Sequence, residues 1–136
     1  MSKLSRENAI LPYLTAGDLR SRIGEAVSMS LPNSVPVVEP LPDPDTKPFG
    51  IIIHADQERA SIAPLTGGLS GTVLLKLQTA AYAGNELYVD QTGGINGFAD
   101  AFEESPSGNY LCALALESGV QGELIEAVLF RPVLAP

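Results

Sequence analysis

Six prolines fall between Leu31 and Pro48, at positions 32, 36, 40, 42, 44 and 48. Each fixes φ and removes a backbone donor, so neither a helix nor a central strand is expected to run through this stretch. What remains is an extended connection. It reads either as a surface loop in polyproline conformation or as a stiff strap across a neighbouring subunit, with Val35, Val37 and Val38 as its adhesive residues.

On its C-terminal side the pattern is β throughout, with short apolar runs separated by glycine-bearing turns. Phe49, Ile51, Ile53 and Ala55 alternate with Gly50, Ile52, His54 and Asp56. From Thr72 to Gln78, Val73, Leu75 and Leu77 face in while Lys76 and Gln78 face out. Leu87 and Val89 alternate with Glu86, Tyr88 and Asp90 before Gln91-Thr92-Gly93-Gly94 turns the chain into a hairpin with Ile95 to Phe102. The next strand sets Tyr110, Cys112, Leu114 and Leu116 against Leu111, Ala113 and Ala115. The last, Glu123 to Phe130, sets Leu124, Val128 and Phe130 against Ile125, Ala127 and Leu129, and Arg131-Pro132 is expected to stop it. A strand apolar on both faces is central in a sandwich or gives one face to a subunit interface.

On the N-terminal side, Asp18 is placed as an N-cap, and Leu19, Ile23, Ala26 and Val27 recur at helical spacing, so a short helix is expected there. Ahead of it Ile10, Leu11, Tyr13 and Leu14 surround Pro12 in an apolar patch. That segment is either an arm that docks on a neighbour or a terminal strand covering the protein's own core. The expected organisation is an extended arm over residues 1–16, a short helix and proline-rich connection over 17–48, and a β-rich core over 49–136. The expected fold class is mainly β: a small antiparallel sandwich or barrel.

The search for chemistry starts at His54, the only histidine. His54, Asp56 and Glu58 share one side of an extended strand, a spacing that a metal or a general-base pair can use. With no second histidine, a strand end entering a polar turn accounts for them better. Cys112, the only cysteine, rules out an intrachain disulfide and reads as an inert core residue. The segment Gly67-Gly68-Leu69-Ser70-Gly71 lacks the lysine of a P-loop and leads into a strand, not a helix. Glu103 and Glu104, beside Ser105-Pro106-Ser107-Gly108, read as a solvated loop. No catalytic residue, cofactor or metal site is expected. A formal net charge of −8 makes nucleic acid and anionic membrane poor partners.

Residues Ala83-Gly84-Asn85-Glu86-Leu87-Tyr88-Val89-Asp90, then Gly93-Gly94-Ile95, then Leu111 to Glu117 and Gly122-Glu123-Leu124-Ile125-Glu126-Ala127-Val128-Leu129 form an ordered set. A glycine turn leads to a strand ending in aspartate, a glycine hairpin, an alanine-rich strand and a final glutamate-led strand. In this order the second half of the chain resembles the head decoration, or capsid cement, proteins of tailed bacteriophages. The resemblance implies a virion protein made in the host bacterial cytoplasm and carried on the outer capsid surface. There it would form a homotrimer and clamp neighbouring major capsid protein subunits, with no cofactor and no turnover. Contact with the shell or a neighbouring protomer is expected at Ile10, Leu11, Tyr13 and Leu14, and self-association at Val128 and Phe130. A second class, a carbohydrate-binding or tail-associated adhesion module, shares the short strands and would be marked by a concave aromatic cluster.

Overall fold

The computed structural model describes residues 11–43, 46–65, 72–92, 95–102 and 108–135. Five strands, β1 (Leu11–Thr15), β2 (Ala26–Ser30), β3 (Val37–Pro40), β4 (Gly50–Ala55) and β5 (Arg59–Pro64), close a barrel in the order β1-β3-β2-β4-β5. All its pairings are antiparallel except β1 with β3. Five more, β6 (Val73–Lys76), β7 (Glu86–Thr92), β8 (Ile95–Asp100), β9 (Tyr110–Ala115) and β10 (Leu124–Leu134), form an antiparallel sheet in the order β6-β10-β9-β7-β8. The fold is therefore mainly β, as expected. The hairpin pairs Thr92 with Ile95 as predicted, and its tip, Gly93-Gly94, lies outside the described residues.

Two cores share the barrel wall. Leu19, Val27, Val38, Ile52, Ala55, Ala60 and Ile62 fill the barrel, with Tyr13, Ile23 and Phe49 packed on them. Their chain neighbours Ala26, Ile51 and Ala63 point the other way and join Leu75, Leu77, Leu87, Val89, Phe98, Ile125 and Ala127 beneath the sheet. Successive side chains of a strand alternate between faces, so a wall between two cores must be apolar on both. That is why Ile51 and Ile52 are both fully buried. A register shift between Ile52 and His54 then carries His54 to the surface.

Three expectations are corrected here. The helix expected from Asp18 is a single 3₁₀ turn, Arg20–Arg22. Asp18 Oδ1 accepts the Arg20 N–H at 3.0 Å, a local turn, and Gly24 has a φ of +86°, which ends any helical path. Ala26 and Val27 match a helical period only because they are neighbours serving two different cores. The proline-rich stretch does contain a central strand, since β3 pairs with both β1 and β2. Its donors survive because Pro36 precedes it and Pro40 is its last residue. The last strand, finally, does not stop at Arg131-Pro132: β10 runs on to Leu134, and a register shift between Leu129 and Val133 absorbs the proline.

Smaller departures follow the same logic. Gln78, expected outside, is buried because Leu77 bridges to Phe98 and brings β6 and β8, the two edges of the sheet, together at one point. Its Nε2 donates to the Ile95 carbonyl at 2.6 Å. In β9 the pairing with β7 steps from Leu87↔Ala113 to Tyr88↔Leu111, leaving Cys112 without an opposite number. The bulge turns Cys112 and Ala113 both inward.

Candidate interaction surfaces

Polar chemistry does not converge in this fold. His54 is exposed, and among the described residues no cluster of three or more His, Cys, Asp or Glu side chains is arranged to hold a metal. Asp56 Oδ1 accepts the N–H groups of Glu58 (2.9 Å) and Arg59 (2.8 Å), which hold its carboxyl below the usual carboxylate range. Its oxygen closes the β4–β5 turn. A charged depression beside it is lined by Arg20, Asp56, Gln57, Glu58 and Arg59. Arg20, however, is held by Asp18 in a forked pair, with an Nη2 contact of 2.6 Å, so its charge is already matched. Cys112 is fully buried, a core residue as expected, and burial pushes its thiol pKa upward. Among the described residues no helix is long and apolar enough to cross a membrane.

What the molecule does offer is surface. Directly opposed residues in a sheet share a face, so the register places Glu126 beside Leu74, Leu124 beside Lys76, and Val128 beside Leu114. Alternation along β10 puts Leu124, Glu126, Val128 and Phe130 on the outer face, opposite the buried set, with Leu124 Cδ2 lying close to Gly24, the residue that leads towards β2. The inward set, Ile125, Ala127 and Leu129, is buried. The outer face therefore carries Leu74, Leu116 and Leu124 at 43–45% exposure, with Val128 and Phe130 half-buried among them. Glu126 and Lys76 carry charge among these leucines, and the Glu126 N–H is taken by Glu117 Oε1 at 2.8 Å.

The residues singled out in the sequence divide between two places. Val128 and Phe130 lie on this outer face. Tyr13 and Leu14 lie on β1 in the barrel wall, where Leu14 is opposite Val37 and Arg59 and Tyr13 is opposite Ala60. The Tyr13 ring meets Phe49 edge to face at 5.4 Å, so much of it serves the barrel. Leu11 contributes backbone to β1 opposite Ile62, and Ile10 lies outside the described residues. Gly67 to Gly71 and Glu103 to Ser107 lie outside them as well.

Sequence reasoning did not single out the corner where β8 ends. Asp100, with no exposed surface, accepts the Phe102 N–H on Oδ1 at 2.8 Å. Its Oδ2 takes the Tyr82 N–H at 3.1 Å and the Asn85 Nδ2 at 3.0 Å. One buried carboxylate thus fixes the backbone beneath two exposed aromatic residues. The available signal was an aspartate closing the strand Ile95 to Asp100 two residues before Phe102, with Tyr82 in the turn that leads into the paired strand β7.

No protein family matches the sequence, and no curated protein does. The fold is similar to that of the N base of the head fiber gp8.5 in bacteriophage phi29, with a TM-score of 0.61 and 14% identity. The match covers 93% of this chain and 97% of that one.

Proposed function

We propose that this chain is a structural component of a tailed-phage virion, carried on the outer surface of the head and clamping neighbouring major capsid protein subunits. The observation that carries the reading is the near end-to-end correspondence with the phi29 head fiber base, in which barrel and sheet together form the shared unit. Fold likeness alone does not fix function. Two features of this chain support the same direction. Its second half resembles head decoration proteins in the order of its turns and strands, and its described residues include an exposed apolar sheet face that can serve adhesion.

In this reading the apolar N-terminal residues, Ile10, Leu11, Tyr13 and Leu14, contact the shell or a neighbouring protomer. The outer face of the sheet, including Val128 and Phe130, serves self-association into a homotrimer. The deciding experiment is cryo-electron microscopy of virions from the phage that encodes the chain, with mass spectrometry of the same particles. The expected result is the protein in fixed proportion to the major capsid protein, with density on the outside of the head. Virions that lack it, or that carry it on the tail, would overturn the reading.

A further inference from the structure

We infer that Tyr82 and Phe102 form a prearranged platform for neutral sugar residues. Phe102 is 80% exposed, the highest value among the large apolar residues described, and Tyr82 is 56% exposed. Large aromatic rings left in water are costly unless something covers them in use. Here the backbone beneath both is held by a buried carboxylate, itself expensive to keep out of water and met, among the described residues, by the three donors that fix this corner.

The turn bearing Tyr82 is pinned further. Ala81 and Gly119 exchange two backbone hydrogen bonds of 3.0 Å. Ala83 N–H donates to Ser118 Oγ at 2.9 Å, and Gly84 N–H to the Ala115 carbonyl at 2.8 Å. Asn85 N–H donates to the Tyr82 carbonyl at 3.2 Å, so each backbone N–H from Ala81 to Asn85 has an acceptor. A pinned backbone leaves only side-chain rotation to be ordered on binding, which suits a weak, shallow site.

The chemistry around Phe102 selects the ligand class. The depression beside it is lined by Gly84, Asn85, Glu86 and Ala101. Gly84 has a φ of +91° and open space where a side chain would project. An exposed ring with an exposed carboxylate and an amide at its side suits a pyranose: the ring takes its C–H face, and Glu86 accepts its hydroxyls. Charge narrows the class. Residues 77–136 contain eight Asp and Glu against one Arg, so this half carries −7 of the chain's −8, and an anionic polymer would be repelled. Two rings are also far too little area for a stable protein interface, which needs on the order of 1,000 Å². The inference goes beyond head attachment and does not depend on it, because the site is complete within one chain.

The test is a titration of the full-length protein with maltoheptaose, chitohexaose and a mannan oligosaccharide, and separately with polygalacturonate, followed by amide NMR shifts. Tyrosine fluorescence gives a second readout in a chain without tryptophan. At least one neutral sugar should shift the amides of Tyr82, Asn85, Glu86 and Phe102. Phe102→Ala, at an exposed position, should fold normally and weaken binding about tenfold, whereas Phe102→Tyr should retain it. No shift with any of the neutral sugars at tens of millimolar would overturn the proposal. So would unchanged binding by Phe102→Ala, or polygalacturonate binding as well as the neutral ligands.

Discussion

Glu25 reaches from the barrel to the sheet, where its Oε1 accepts a hydrogen bond of 3.0 Å from the backbone N–H of Asn96. The same oxygen receives Arg22 Nη1 at 3.0 Å, and both Glu25 and Asn96 are buried. Apolar contacts join the two halves without direction; this carboxylate helps to fix their register, together with the Gln91 Nε2 bond to the Leu41 carbonyl at 2.8 Å. Glu25→Ala removes the acceptor of a buried N–H and the Glu25 partner of Arg22, and should cost ~2–4 kcal/mol of stability. Glu25→Gln keeps an acceptor oxygen and should cost about half as much. Urea denaturation of the three proteins checks the order.

Gly24 offers a separate test of the same junction. Its carbonyl accepts the Lys76 N–H at 3.0 Å, and a Cβ placed on it would meet Lys76 N at 2.8 Å and Leu124 Cδ2 at 2.7 Å. Gly84 has a similar φ but open space around it. Gly84→Ala should therefore cost only the left-handed conformation, about 1 kcal/mol, while Gly24→Ala should cost at least ~2 kcal/mol more, because barrel and sheet must part to admit the methyl group. Equal losses in thermal denaturation would mean that the close approach is not rigid.

The Cys112 thiol should resist iodoacetamide and disulfide reagents in the native protein and react fully in denaturant. Burial raises its pKa in the folded state. A group raised on folding contributes stability that is whole below its unfolded value and is lost as pH climbs above it. Stability should accordingly decline above about pH 8.5, where the unfolded thiol begins to ionise, and Cys112→Ala should flatten that decline. Denaturant midpoints between pH 7 and 10 read both.

In the proposed self-association through the outer face, Glu126 sets the salt dependence. It is exposed on the outer face among Leu74, Leu116 and Leu124, with Glu117 next to it, so copies meeting through this face bring together more carboxylates than Lys76, beside Leu124, can balance. Raising salt from 0.05 to 0.5 M shortens the screening length from roughly 14 to 4 Å and should strengthen association, and Glu126→Gln should do the same at low salt. Leu116→Glu should abolish it. Sedimentation equilibrium of the purified variants provides the measurement.

Much of the β pattern was legible because period-two alternation follows directly from strand geometry. β6, the β7–β8 hairpin and the inward set of β10 were all readable from their apolar residues. The barrel was harder to read. Its wall serves two cores, so Ala26-Val27 and Ile51-Ile52 show consecutive apolar residues where alternation would be expected. Prolines misled for a local reason: Pro40 ends its strand and Pro132 sits in a register shift, where a missing donor costs little. Tyr82 and Phe102 could not be joined from sequence, since only the fold brings Asp100 to both.

The central claim, attachment to the phage head, is tested most directly by analytical ultracentrifugation of the purified chain alone and then with intact and with emptied heads lacking it. The account predicts a discrete small oligomer that co-sediments with both kinds of head at one fixed stoichiometry, since the bound surface is the outer shell and not the packaged DNA. A monomer that stays in the supernatant with both would contradict it.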